Sequence, residues 1–120
     1  MQQLLFIFLG GGLGSICRYG IAQLVPHSSN FSYGTFVANV LSSLILGIVV
    51  GLALKNAISG DSRLFFITGF CGGFSTFSTF SAEMLQLIES GNYLAMFNYA
   101  FWSILTCMVC IFLGMRLTAG

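Results

Sequence analysis

Gly69-Phe-Cys-Gly-Gly-Phe-Ser-Thr-Phe-Ser-Thr-Phe-Ser81 decides how this chain is read. Three glycines, five hydroxyl side chains and evenly spaced phenylalanines share a few turns of a segment apolar enough to cross a bilayer. Hydrocarbon offers backbone amides and carbonyls no water, so irregular backbone at membrane depth survives only inside protein or beside a water-filled space. The stretch therefore points to a path or binding site for something small.

The surrounding composition supports that setting. The 120 residues are 57% hydrophobic and 6% charged, with mean hydropathy +0.95, where a soluble domain would carry about 25% charged residues. Four basic and three acidic side chains are too few to clothe a water-facing surface. The expectation is an all-α integral membrane protein forming one small domain over residues 1–120. A transmembrane helix needs about 20 largely apolar residues, and four such spans fit: 3–24, 33–54, 64–88 and 94–117. Polar breaks at 26–30, 55–63 and 89–92 separate them. A barrel would instead alternate apolar and polar over about ten residues per strand.

The first segment lacks the basic start of a cleaved signal peptide, and neither terminus carries a lipidation pattern; the segment is expected to remain as a span. With four spans, both termini and the central loop share one side. Lys55, Arg63 and Arg116 lie there against Arg18 within the first span, a slight positive-inside bias that suits insertion in both orientations.

Gly10 and Gly14, Gly47 and Gly51, and Gly69 and Gly73 are small-xxx-small pairs that allow helix backbones to approach closely. The first two read as packing. Gly69, Gly72 and Gly73 crowd into little more than one turn, and glycine costs a helix interior about 1 kcal/mol against alanine, so the third span is expected to break at Gly72-Gly73. Beyond it, helical spacing would align Phe74, Phe77 and Phe80 on one face, Ser75 and Ser78 on a second, and Thr76, Thr79 and Glu83 on a third. Phenylalanine edges are electropositive and its faces electronegative; edges suit a small anion, whereas carbonyls at a break suit a hard cation.

Asn39 in the second span has two N–H donors and one acceptor oxygen, readable as an interhelical clamp or as part of a path. Tyr99, Ser103 and Thr106 form a hydroxyl ladder on the fourth span. Arg18 either snorkels to the interface or forms a positive mouth that concentrates anions. Cys107-Met-Val-Cys110 has redox or zinc spacing but no further ligands nearby in sequence, and the thiols read as packed and inert. The Asn30-Phe-Ser32 sequon is a short motif in a short loop and is discarded. With His27 the sole histidine, no nucleophile–base arrangement can be assembled, and no enzyme is expected.

Three motifs, taken together, resemble the Fluc (CrcB) fluoride channels: Gly10-Gly-Gly-Leu-Gly-Ser-Ile-Cys-Arg-Tyr19, Gly34-Thr-Phe-Val-Ala-Asn39 with Gly47, and Gly69-Phe-Cys-Gly-Gly-Phe-Ser-Thr-Phe-Ser-Thr-Phe80. The resemblance implies a dual-topology antiparallel homodimer in the cell (inner) membrane, with two fluoride pores and a structural sodium ion (Na+) on the two-fold axis. It implies that the backbone carbonyls of Gly72 and Ser75 hold the sodium, and that Asn39, Phe77, Phe80, Tyr99 and Ser103 serve the pore, with Arg18 near its vestibule. Fluoride, a second copy of the chain and the lipid bilayer are then the expected partners, with no nucleic acid. Ser75 and Phe74 stand where many relatives have Thr and Leu, and Cys107 stands where the polar track would continue. Glu83 receives no role beyond a place at the pore mouth. The implied activity is passive efflux of cytoplasmic fluoride. The alternatives are a small proton-coupled exporter of cations, for which Glu83 is the sole acidic candidate, and a structural membrane subunit.

Overall fold

The computed structural model describes residues 1–26 and 31–119. His27 and Asn30, which carry the lone histidine and the sequon, lie outside them. Two long helices open the chain, α1 (Gln2–Leu24) and α2 (Tyr33–Leu54). The third span is composite: a short α3 (Gly60–Arg63), a π-helical stretch (Leu64–Cys71), α4 (Gly72–Phe74) and α5 (Phe77–Glu89). The chain closes with α6 (Tyr93–Ala119). Among the described residues four helical runs are long and apolar enough to cross a membrane, Gln2–Leu24, Tyr33–Leu54, Gly60–Glu89 and Tyr93–Thr118.

These runs match the expected spans closely except at residue 60, where the helix begins four residues before the expected 64. Ser59 caps it, its Oγ accepting from the Ser62 amide at 3.1 Å, which satisfies a donor that the first helical turn leaves unpaired.

Two glycine seams hold the helices together. In the first, α1 lies against the π-helical stretch and α4. A Cβ on Gly10 would strike the Phe65 carbonyl, one on Gly14 the Phe70 carbonyl and one on Gly73 the Gly11 carbonyl. Gly69 has the Cα of Gly10 only 3.0 Å from where its own Cβ would stand. In the second seam α2 runs along α6, where a Cβ on Gly47 would strike the Ile111 carbonyl and one on Gly114 would lie 2.6 Å from that of Leu44. Between apolar helices in lipid the gain from association is mostly dispersion, which requires such close approach.

The third span breaks later than its glycines suggest. Gly72 has αR backbone (φ −64°, ψ −35°), whereas Ser75 (φ −87°, ψ 158°) and Thr76 (φ −151°, ψ 122°) are extended. Gly69 and Gly73 serve the seam with α1, and the break falls on the hydroxyl pair that follows. Phe74 consequently stays on the near side. It is buried against Phe70, with ring centroids 5.4 Å apart, and does not join a stripe with Phe77 and Phe80. Beyond the break, α5 packs on α6 through Phe80, Leu87 and Tyr99, with Phe31, Phe36 and Met84 around them.

Candidate functional site

Breaking a helix leaves backbone groups without their partners, and specific side chains take up several of them. The Cys71 carbonyl accepts from the Ser75 amide at 3.0 Å, the Ser75 Oγ at 2.7 Å and the Ser42 Oγ at 3.2 Å. Cys71 Sγ in turn donates to the Ser42 carbonyl at 3.6 Å, tying α2 to the last residue before α4. The Thr76 amide would ordinarily close the next turn on the Gly72 carbonyl; instead it donates to Asn39 Oδ1 at 3.0 Å. The Thr79 amide, due to the Ser75 carbonyl, donates to Thr76 Oγ1 at 3.2 Å, so Thr76 is the N-cap of α5. Gly72 and Ser75 are therefore carbonyls whose helical donors are bonded elsewhere. Gly73 is served separately: its carbonyl accepts from Arg18 Nε at 3.1 Å. Arg18 thus points its guanidinium at the break rather than out along the helix.

The amide orientation of Asn39 follows from this pairing. A backbone N–H can only donate, so the side-chain oxygen faces Thr76 and the NH2 group is left to donate elsewhere. Asn39 borders a cavity of about 240 Å³ with Ser43, Ser75, Thr76, Phe77, Phe80, Ser103, Ile104 and Cys107. Four of the five residues assigned to the pore by resemblance, Asn39, Phe77, Phe80 and Ser103, thus meet on one space although they come from three different spans. Phe77 is exposed and Phe80 buried, their ring centroids 6.1 Å apart and tilted by 45°. Ser103 is buried, and its Oγ has no hydrogen-bond partner among the described residues. A buried hydroxyl without a partner costs roughly 1–3 kcal/mol.

Tyr99, the fifth, stands behind this wall. It is wholly buried, with its ring 5.0 Å from that of Phe80 and its hydroxyl donating to Glu83 Oε1 at 2.7 Å. The other carboxylate oxygen of Glu83 accepts from Thr35 Oγ1 at 3.0 Å. Glu83 also borders a second cavity of about 310 Å³ with Arg18, Tyr19, Thr35, Thr76 and Thr79 among its walls. The expected grouping of Thr76, Thr79 and Glu83 on one face holds, and Thr76 is a wall of both spaces.

Ser42 and Ser43 follow Asn39 on the second span, and neither they nor Thr35 carries a local signal of a role, since hydroxyls in apolar helices commonly bond back to their own preceding turn. The Thr76 cap follows the general preference for Ser, Thr, Asp or Asn just before a helical run. The thiols are not uniformly packed as expected: Cys71 is buried, whereas Cys17 is exposed and Cys107 borders the first cavity.

Comparison with known proteins bears on this arrangement. A family described as CrcB-like protein, Camphor Resistance (CrcB), matches residues 5–115. The chain belongs to the CrcB family. It is 44% identical to the fluoride-specific ion channel FluC of Gloeothece citriformis, over 98% of this chain and 97% of that one. Identity to the protein of the same name from Phocaeicola vulgatus is 42%, over 95% and 96%. To that of Thermus thermophilus it is 41%, over 98% and 95%.

Proposed function

We infer that this CrcB-family chain is a fluoride-selective channel that lets cytoplasmic fluoride leave the cell passively. The carrying observation is the cavity on which Asn39, Phe77, Phe80 and Ser103 converge, in a chain matched over nearly its whole length by relatives named as fluoride-specific ion channels. Its chemistry suits a small, strongly hydrated anion. The Asn39 NH2 and the Ser103 hydroxyl are donors without protein acceptors among the described residues, so each can replace a hydration water. The two phenylalanines add electropositive ring edges. Fixed donors cost no reorganisation when the ion arrives, and a narrow aromatic passage disfavours the larger chloride. Arg18 lines the neighbouring cavity, where its charge would raise the local anion concentration. Thr76, common to both cavities, marks the passage between vestibule and pore.

The assembly proposed is the antiparallel homodimer, set in the inner membrane in both orientations. Support comes from Gly72 and Ser75. Within the chain a Cβ on Gly72 would meet nothing nearer than 3.9 Å, so the chain's own packing gives no reason for glycine there. The freed carbonyls of Gly72 and Ser75 suit the oxygen coordination of a hard cation, and a pair from each of two copies would supply four oxygens to one Na+. Bound there, the ion would neutralise the carbonyl dipoles exposed by the break and join the two copies.

Fluoride efflux from liposomes holding the purified protein, followed with a fluoride electrode and compared with chloride, tests the function. Fast fluoride loss with chloride retained is expected. Equal loss of both ions, or proton-coupled cation uptake without fluoride loss, overturns it.

A further inference from the structure

Cys107 borders the same cavity as Asn39 and Ser103, one helical turn beyond the serine on α6. It is half-buried and not in a disulfide. The cavity opens at the protein surface, and among its walls Cys107 supplies the one nucleophilic sulfur. A second observation marks the space as built to receive something: Ser103 is only 4% exposed, yet its Oγ has no partner among the described residues. The other thiols lie elsewhere. Cys71 is engaged with the Ser42 carbonyl, and neither Cys17 nor Cys110 is among the residues of this wall.

We propose that Cys107 is a modification site for small, neutral, thiol-reactive sulfur electrophiles, and that a group attached to it occludes the cavity. This rests on the channel reading above. With methyl methanethiosulfonate the step is balanced. The Cys107 thiolate attacks the sulfenyl sulfur, an S–S bond forms as the S–SO2 bond breaks, and methanesulfinate leaves with the electron pair. The thiol proton passes to the buffer. The cysteine sulfur is thereby oxidised to the disulfide level and the sulfonyl sulfur is reduced to sulfinate. The added methylthio group occupies the space bordered by Asn39, Ser43 and Ser103. A neutral reagent needs no help from the charge selectivity of the path, and a thiolate forms only where water reaches the sulfur, which favours a cavity thiol over one in lipid.

The test measures fluoride efflux from proteoliposomes before and after the reagent, with mass spectrometry of the same sample locating the methylthio groups. The expected result is modification of Cys107, loss of most of the efflux, and recovery on reduction with dithiothreitol. Cys107→Ser, scored against its own unreacted rate, should be insensitive, while Cys17→Ser and Cys110→Ser should remain sensitive. Cys107 modified with efflux unchanged overturns the proposal and leaves the channel reading standing. So does Cys107 left unmodified under conditions that label Cys17. Absence of fluoride efflux before any reagent overturns the channel reading itself, and this proposal with it.

Discussion

Asn39 Oδ1 receives the backbone amide of Thr76 at 3.0 Å, so one side chain both ends the third span's first half and keeps its own NH2 group for the cavity that the residue borders. The two tasks separate by substitution. Asn39→Asp keeps an acceptor for Thr76 but replaces the donor by a carboxylate that repels an anion; fluoride efflux should be lost with the melting temperature little changed. Asn39→Ala removes both and should also lower stability, by up to about 1–3 kcal/mol, the cost of leaving a partly buried amide without its acceptor. Efflux that survives in Asn39→Asp leaves the residue only a structural task.

Phe77 and Phe80 are neighbours with different surroundings. Phe80 packs on Tyr99 at 5.0 Å, whereas Phe77 is largely exposed within the chain. Replacing either by isoleucine removes an electropositive edge, and both should suppress fluoride efflux. Only Phe80→Ile should also destabilise the fold, because buried aromatic contacts contribute about 0.5–1.5 kcal/mol beyond their area. Efflux and thermal unfolding of the two variants, compared side by side, check the division; unchanged flux in Phe80→Ile removes that ring from the path.

What could be read in the sequence follows from the length over which each signal acts. Four continuous apolar runs locate the helices to within a few residues, since the hydrocarbon imposes one length on every span. The Gly69-to-Ser81 stretch signals a break but puts it at Gly72-Gly73, ahead of Ser75 and Thr76 where the backbone is extended. Glycine is used both to end helices and to bring them close, and only the position of α1 against Gly69 and Gly73 distinguishes the uses. Glu83 was harder still. Its partners Thr35 and Tyr99 are 48 and 16 residues away, and nothing local to an acidic residue names hydroxyls on two other helices.

The Tyr99–Glu83 hydrogen bond, at 2.7 Å, is charge-assisted when the carboxylate is ionised, and such bonds contribute about 1.5–3 kcal/mol. Tyr99→Phe should therefore destabilise the protein by an amount of that order while keeping the ring against Phe80. Glu83→Gln should cost less, since an amide oxygen still accepts. A double-mutant cycle between the two, read by thermal unfolding in detergent, should give a coupling well above zero; additivity would show that the contact contributes nothing.

Gly72 and Gly73 are adjacent and face opposite demands. A Cβ on Gly73 would collide with the Gly11 carbonyl, and one on Gly72 would meet nothing nearer than 3.9 Å. Gly73→Ala should push α1 away from α4 and reduce the yield of folded protein. Gly72→Ala leaves the chain's own packing untouched and by helix propensity alone would stabilise it by about 1 kcal/mol, so any loss it causes must arise where another molecule lies against that position. If two copies meet there around sodium, Gly72→Ala should shift the purified protein from dimer to monomer in light scattering while its helix content by circular dichroism stays constant. Replacing sodium by a large organic cation should then weaken the parent dimer but have little further effect on the variant. A Gly72→Ala protein that remains dimeric would place the contact between copies on another face of the molecule.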